Sequence, residues 1–476
     1  MGWSLPNIPV KNETRAWSPW ICLLIILTGI FCGLVRVVLH SPVGGLPSLA
    51  SGYWLPLTMK TLTGIAIAIT AYSLWWETQA VSVWNWNEWR QNMHNLWRAR
   101  VHQHLFVVRH VTLSSDPQLL PRLVGVVQES DDDSPPLTVL PDEQLTPGIS
   151  RFEQLCRVLS DRTKGELLKR YPSGHLTVLV QTSTSDNEQE LQVLHRLWND
   201  EQFPWTPEIH ILSNALPYGD WNQTVLSSCD PVLVLALHYR QPGESLPEFA
   251  SALLFVPGSL LAAEEQKTAI RLFRAMPLNS SALLLELKAL RDMGQQSANK
   301  KHLVWHSGLP DAPSLGVGRI LNELSLPLYS DIGTGGVIDF DAHFGGYGGL
   351  SGWLMVAVAS EMTRYGVSSQ WLLCENENES WAVTLGNCAP VMDMEPGSAS
   401  RPPFPAGSVM LALLFNAAVV GIIQHIPSLA FSWTGIVILL FSLIVTLPGI
   451  AFLLRHIIAR VQHSQFIKAA RQSGKE

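Results

Sequence analysis

Four apolar runs, grouped in two pairs, bracket a long polar middle in this 476-residue chain. Each run is long enough to cross a bilayer, which takes about 20 residues. The first is Trp20 to Leu39 (WICLLIILTGIFCGLVRVVL) and the second Leu55 to Trp76. The third is Ser408 to Ile426 and the fourth Trp433 to Leu454. The connector of the first pair (SPVGGLPSLASGYW) carries no charge, and that of the second, Pro427 to Ser432, is short. The chain therefore reads as two transmembrane helical hairpins holding a soluble domain between them. A secretory signal peptide does not fit, because the first run is too long and a second span follows at once.

Positive charge sets orientation. Lys11 and Arg15 precede the first run, Arg90, Arg98, Arg100 and Arg109 follow the second, and Arg455, Arg460, Lys468, Arg471 and Lys475 follow the fourth. The connectors carry none. Both termini and the middle are thus expected in the cytoplasm, with the protein multi-pass in a bacterial inner membrane. Arg36 and Lys60 lie toward the outer ends of their spans, where their stems can snorkel to the interface. Trp84, Trp86 and Trp89 follow the second span, where tryptophan favours headgroup level. With the arginines behind them they predict a helix lying along the membrane surface. The expected organisation is an N-terminus at 1–19, hairpins at 20–76 and 401–455, a juxtamembrane segment at 77–110, an α/β domain at 111–400 and a basic tail at 456–476.

The formal net charge of −7 and the lack of a basic patch argue against nucleic acid. The six cysteines show no C-x-x-C pairing, so neither a zinc site nor a disulfide framework is expected. No G-x-x-x-x-G-K-[ST] occurs, and no cofactor is expected. Beyond the acidic, proline-rich stretch at 129–149, helices and strands alternate. Helices are predicted at Arg151–Lys169, Glu188–Asp200, Trp221–Ser228, Ile320–Leu324 and Gly349–Tyr365. Strands are predicted at Leu176–Gln181, Glu208–Leu212, Pro231–His238, Ser251–Val256, Trp371–Cys374 and Trp381–Leu385. Continuous apolar strands between helices imply a sheet covered on both faces. Apart from the likeness of the two hairpins, no internal repeat is visible.

Two segments carry candidate chemistry. In K-H-L-V-W-H-S-G-L-P-D-A (Lys301–Ala312) a short strand delivers His306 into a glycine-containing loop that reaches Asp311. In D-A-H-F-G-G-Y-G-G-L-S-G (Asp341–Gly352) His343 precedes Gly346 and Gly349, ahead of an apolar helix. Glycine there lets backbone approach a ligand or a neighbouring helix. Asp339, Asp341 and His343 have no second cluster at ligand spacing, so no metal is expected.

These segments resemble the thiolase-like superfamily, in particular the C-terminal half of β-ketoacyl synthases. That family carries a histidine in A-H-G-T-G-T-x-x-x-D and a second in G-H-x-x-G-x-x-G opening a helix. H-S-G-L-P-D is similar to the first motif with His306 as its histidine, and H-F-G-G-Y-G-G matches the second with His343. The resemblance covers residues 225–390 and implies a thiolase-like layered fold and a homodimer. The family's nucleophilic cysteine opens a helix in a small-residue turn ahead of the first histidine. Here Cys156 lies inside an amphipathic helix, Cys229 precedes a strand, and Cys374 and Cys388 follow both histidines. The first motif's threonines and the glycine before His343 are also missing.

The expected function is that of a membrane-anchored, non-catalytic thiolase-like scaffold, with His306 and His343 as relict catalytic positions and Gly346, Gly349 and Asp311 lining a relict pocket. Its expected partners are the bilayer and a cytoplasmic protein, a component or effector of type VI secretion. The alternatives are an acyl-thioester enzyme at the membrane face, which would be acylated on Cys156 or Cys229, and an immunity protein. The spans hold too few ionisable groups for a transporter.

Overall fold

The computed structural model describes residues 3–40, 54–127, 137–140, 147–183, 187–241, 243–309, 311–330, 335–377, 379–391, 401–426, 428 and 432–473. The hairpin connector at 41–53, most of the acidic stretch and residues 331–334 lie outside these.

Two apolar helices come first, α1 (Pro19–His40) and α2 (Trp54–Val101). Then follow β1 (His104–Ser114), α3 (Leu119–Leu123), α4 (Arg151–Arg170), β2 (Gly174–Thr182), α5 (Asn187–Asp200), β3 (Trp205–Ile211), α6 (Tyr218–Ser227), β4 (Val232–His238) and β5 (Phe249–Val256). Next are α7 (Ala263–Thr268), β6 (Ile270–Phe273), β7 (Met276–Pro277), α8 (Leu283–Asp292), β8 (Leu303–Ser307), α9 (Asp311–Glu323), β9 (Val337–Asp339), α10 (Phe340–Phe344) and α11 (Ser351–Met362). The strands β10 (Ser369–Asn376) and β11 (Glu379–Gly386) and the helices α12 (Ala406–Gln424) and α13 (Trp433–Ser473) complete the chain order. Two compact units result: Met1–Leu5 with Trp97–Asp393, and Pro6–Leu96 with Met394–Glu476.

Among the described residues, four helices, lying mainly in the second unit, are long and apolar enough to cross a membrane. Their outward residues, such as Trp20, Phe31, Leu55 and Phe441, are bare. Small residues bring the helices together. A Cβ on Gly29 would stand 2.3 Å from Ile65 Cγ1, and one on Gly33 3.1 Å from Thr61, so a G-x-x-x-G face of α1 seats against α2. Gly407 packs as closely on α2 at Leu74. Beside it the buried Glu77 carboxylate accepts the Ser408 N–H (2.7 Å) and hydroxyl (2.8 Å). That carboxylate satisfies a donor left over at the start of α12.

Helix α2 corrects the expectation for 77–110. It runs unbroken to Val101, and strand β1 begins at His104. There is no separate helix at 77–110. Two of the tryptophans beyond the second span pack within the second unit. Trp86 is buried with Ile8 and Phe466, its indole N–H donates to the Pro9 carbonyl, and Trp89 packs on Phe466 and His463.

In the first unit the strands form a single mixed sheet in the order β3-β2-β4-β5-β1-β6-β11-β10-β8-β9. This order contains a repeat that the sequence does not display. In β1 to β5, β3, β2 and β4 are parallel, β5 is antiparallel to β4, and β1 is antiparallel to β5. In the second set, β9, β8 and β10 are parallel, β11 is antiparallel to β10, and β6 is antiparallel to β11. The unit is thus duplicated. Its halves join where β1 and β6 pair antiparallel, and α4, α5 and α6 correspond to α8, α9 and α11.

The side-chain alternation of strands distributes each half between two cores. On β4, Val232, Val234 and Ala236 face the central core, while Leu233, Leu235 and Leu237 face α4 and α5. On β10, Leu372 and Cys374 face the central core, while Trp371 and Leu373 face the layer of α8 and α9. The central core holds α6 and α11, and α11 is buried from Ser351 through Ser360. That two-sided burial explains why the strands read as continuous apolar runs. Strands β6 and β9 and helix α8 go beyond the sequence expectation; β6 and β9 are only four and three residues long.

Candidate functional site

Strand β8 delivers His306 to its C-terminal end, where it is paired in register with Leu373 of β10 and Asp339 of β9. The side chain is buried, at 4% exposure. Burial holds the imidazole below its ordinary range, against the opposing pull of Asp339 and Asp341. The loop that follows is organised by Asp341, whose carboxylate accepts the Ser307 hydroxyl (2.8 Å) and the Gly308 N–H (2.6 Å). Gly308 sits at φ +72°, and a Cβ there would lie 1.8 Å from the Glu375 carbonyl oxygen, so no other residue fits without backbone movement. Asp339 caps α10 by accepting the Ala342 N–H (3.1 Å). These carboxylates are engaged in building the loop.

His343 lies on α10 and is exposed. It borders a cavity of about 260 Å³ with Ser114, Asp116, Arg122 and Tyr347, and His306 does not line it. Beside His343, Phe340 and Phe344 stack 4.8 Å apart, Phe249 packs edge-on against Phe344, and the Tyr347 ring packs against Phe249 and Phe340. Asp311 opens α9, and its side chain lies outside the described residues. Of the two glycines expected to line a pocket, Gly346 is exposed, and a Cβ there would meet no atom within 4 Å. Gly349 is packed against the backbone of the loop before α6, where a Cβ would meet the Asn214 oxygen at 1.9 Å. It serves the approach of α11 to α6.

The duplication makes the start of α6 the counterpart of the start of α11, and the two meet. Gly352 lies against Pro217, the Tyr218 hydroxyl donates to the Gly352 carbonyl (3.2 Å), and Trp221 and Trp353 cross edge to face at 5.6 Å. Tyr218 is fully buried, and burial pushes its phenol well above the usual range. Its hydroxyl is 3.3 Å from Cys374 Sγ, a thiol that burial raises to about 12. Neither group supplies an anion near neutral pH. Cys156 is buried in the core of α4, and burial raises its thiol far above the ordinary range. Cys229 is exposed in the turn between α6 and β4. Tyr218, and the part Asp341 plays in shaping the His306 loop, are not evident from the sequence. The signal available for Tyr218 is the faint likeness of Y-G-D-W (218–221) to S-G-W (351–353) at the starts of the two corresponding helices.

His302, just before β8, is a second buried histidine. Its ring contacts the Ser369 hydroxyl (2.8 Å) and the Ser297 carbonyl (3.2 Å), and burial pushes it down from 6.5 to about 4. The unfolded chain takes up this proton near its ordinary value, whereas the folded chain resists it until about 4. Stability is therefore complete above that ordinary value, is lost as the pH falls, and levels off below the folded value. A drop of about 2 kcal/mol is expected between roughly pH 7.5 and 5. Urea midpoints at the two values check it, and equal midpoints would refute a neutral buried His302.

No protein-family model matches the chain, and no curated protein matches it. Among solved structures it is similar to a type II polyketide synthase ketosynthase in complex with its acyl-carrier protein. That likeness has 11% identity, covers 60% of this chain and 99% of the other, and has a TM-score of 0.42. It is also similar to OleA of Xanthomonas campestris (12% identity, 60% and 99% covered, TM-score 0.34). A third is 3-oxoacyl-(acyl carrier protein) synthase III of Pseudomonas aeruginosa (14% identity, 60% and 99% covered, TM-score 0.33). At these values the likenesses are too distant to assign a role to any residue. The mixed sheet with helices on both faces is consistent with a thiolase-like fold.

Proposed function

We propose that the chain is a membrane-anchored, non-catalytic thiolase-like scaffold that binds a protein partner at the cytoplasmic face of a bacterial inner membrane. The observation that carries this reading is Tyr218. In the superfamily that the histidine motifs resemble, a cysteine opens a helix ahead of the first histidine. Here the helix that corresponds to α11 opens with Leu216, Pro217 and a fully buried Tyr218 bonded to the Gly352 carbonyl. A phenol held protonated by burial in a dry contact is not a nucleophile. The duplicated sheet supports the two-halved architecture, and the four apolar helices with bare outer faces support the anchor. The arginines and lysines flanking the spans support cytoplasmic termini. An accessory role in type VI secretion suits this architecture, and a homodimer follows from the family resemblance.

The test is acyl transfer by the purified full-length protein. Incubation with an acyl-coenzyme A probe is expected to leave the intact mass unchanged, with no thioester cleavage above background. Acylation of Cys229, or turnover that disappears in His343→Ala, would replace the scaffold with an enzyme.

A further inference from the structure

The two halves part company along β1. Paired with β5 from Phe106 to Ser114, this strand meets β6 only from His104 to Val107. From Arg109 onward, no strand among the described residues pairs with its other edge. A cavity of about 630 Å³ lies against this edge and borders every residue from Arg109 to Pro117. It is therefore an elongated groove, and six residues of strand span roughly 20 Å. Its far walls are the α3 segment at Leu119–Pro121, Phe344, and the end of α11 with Tyr365.

The charges in the groove are unbalanced. Glu361 is already held by His110 (3.0 Å) and Arg364 (2.5 Å), and Asp116 is held by Arg122. Arg109 and Arg162 also line the groove, and neither has a carboxylate partner among the described residues. Buried Arg109 Nε and Thr112 Oγ1 have no hydrogen-bond partner among the described residues. Buried unpaired donors are costly, and free strand edges attract pairing.

We propose that the groove takes an extended, acidic peptide segment of a protein partner as an added strand along β1. Backbone pairing would satisfy the free edge, as in other strand-addition complexes. Carboxylates on alternate side chains would meet Arg109 and Arg162 in charge-assisted bonds. A small anion could satisfy the arginines but would leave the strand edge open. The proposal rests on the scaffold reading, for which it names the partner's chemistry.

The experiment uses full-length protein in detergent micelles and fluorescence anisotropy of a short labelled peptide alternating valine and glutamate. Saturable binding is expected, with none for the lysine counterpart. Methylating the backbone nitrogens on one edge of the peptide should weaken binding about tenfold or more, because those N–H groups make the ladder. The Arg109→Gln/Arg162→Gln protein should bind about tenfold more weakly at unchanged circular dichroism. Absence of saturable binding, or an unchanged affinity in the double variant, would overturn the proposal. Equal binding of the methylated peptide would also overturn it, and it needs only the unaltered protein. Thioester turnover in the same preparation would sink the scaffold reading and leave strand addition standing. Loss of peptide binding without turnover would sink strand addition alone.

Discussion

Alanine at Gly349 is expected to destabilise the first unit by roughly 2–4 kcal/mol, and alanine at Gly346 by less than about 0.5. Both glycines belong to the H-x-x-G-x-x-G pattern, and both are expected from the sequence to line a pocket. The structure separates them. The new methyl at 349 would stand 1.9 Å from the Asn214 oxygen and 2.7 Å from the Ala215 oxygen, and both are backbone atoms that cannot rotate aside. Relief would require the loop before α6 to retreat from α11. At 346 the methyl would enter open space. Denaturation midpoints of the two variants, at equal denaturant slope, measure the contrast. Matching midpoints would mean that the pattern does not mark this helix contact.

Truncating Trp221 should cost more, about 3–5 kcal/mol for Trp221→Ala. The side chain is fully buried, crosses Trp353 at 90° and donates its indole N–H to the Phe273 carbonyl (2.9 Å). It thereby links α6 to both α11 and β6 across the division between halves. Trp353→Ala should cost a similar amount. The double variant should fall short of the sum by about 0.5–1.5 kcal/mol, because each single change already removes the ring pair. Additivity within error would show that the two rings are independent fillers of the central core. Trp221→Phe is the gentler probe, losing the indole hydrogen bond while keeping most of the ring.

Most of the long elements are legible in the sequence because their burial is periodic. The pattern predicts α4 over Arg151–Lys169, and the helix runs to Arg170; it predicts β4 over Pro231–His238, and the strand begins at Val232. Continuous apolar strands such as V-L-V-L-A-L-H indicate the class of sheet, since only burial on both faces allows them. The duplication is invisible because it resides in pairing order. The corresponding helices α6 and α11 share little sequence beyond a glycine and a tryptophan. Strand β1 escapes prediction because His104, Arg109 and His110 interrupt its apolar pattern, and because the helical signal of α2 runs almost up to it. At the candidate site, the histidines and glycines stand out by residue type. Tyr218 does not, since only the faint likeness of Y-G-D-W to S-G-W signals that it fills the contact between two helix starts.

The order of the sheet also bears on how copies of the chain stay dispersed. A long sheet with apolar strands at its centre polymerises if its rims can accept another strand. Here one rim is β9, only three residues long. The other is β3, which carries Pro207, Glu208 and His210 along its length. Proline removes a ladder donor, and charges on a rim oppose stacking of copies. Both rims are thus poor templates for growth by edge pairing. Copies of the chain brought close together thus need not assemble into fibres.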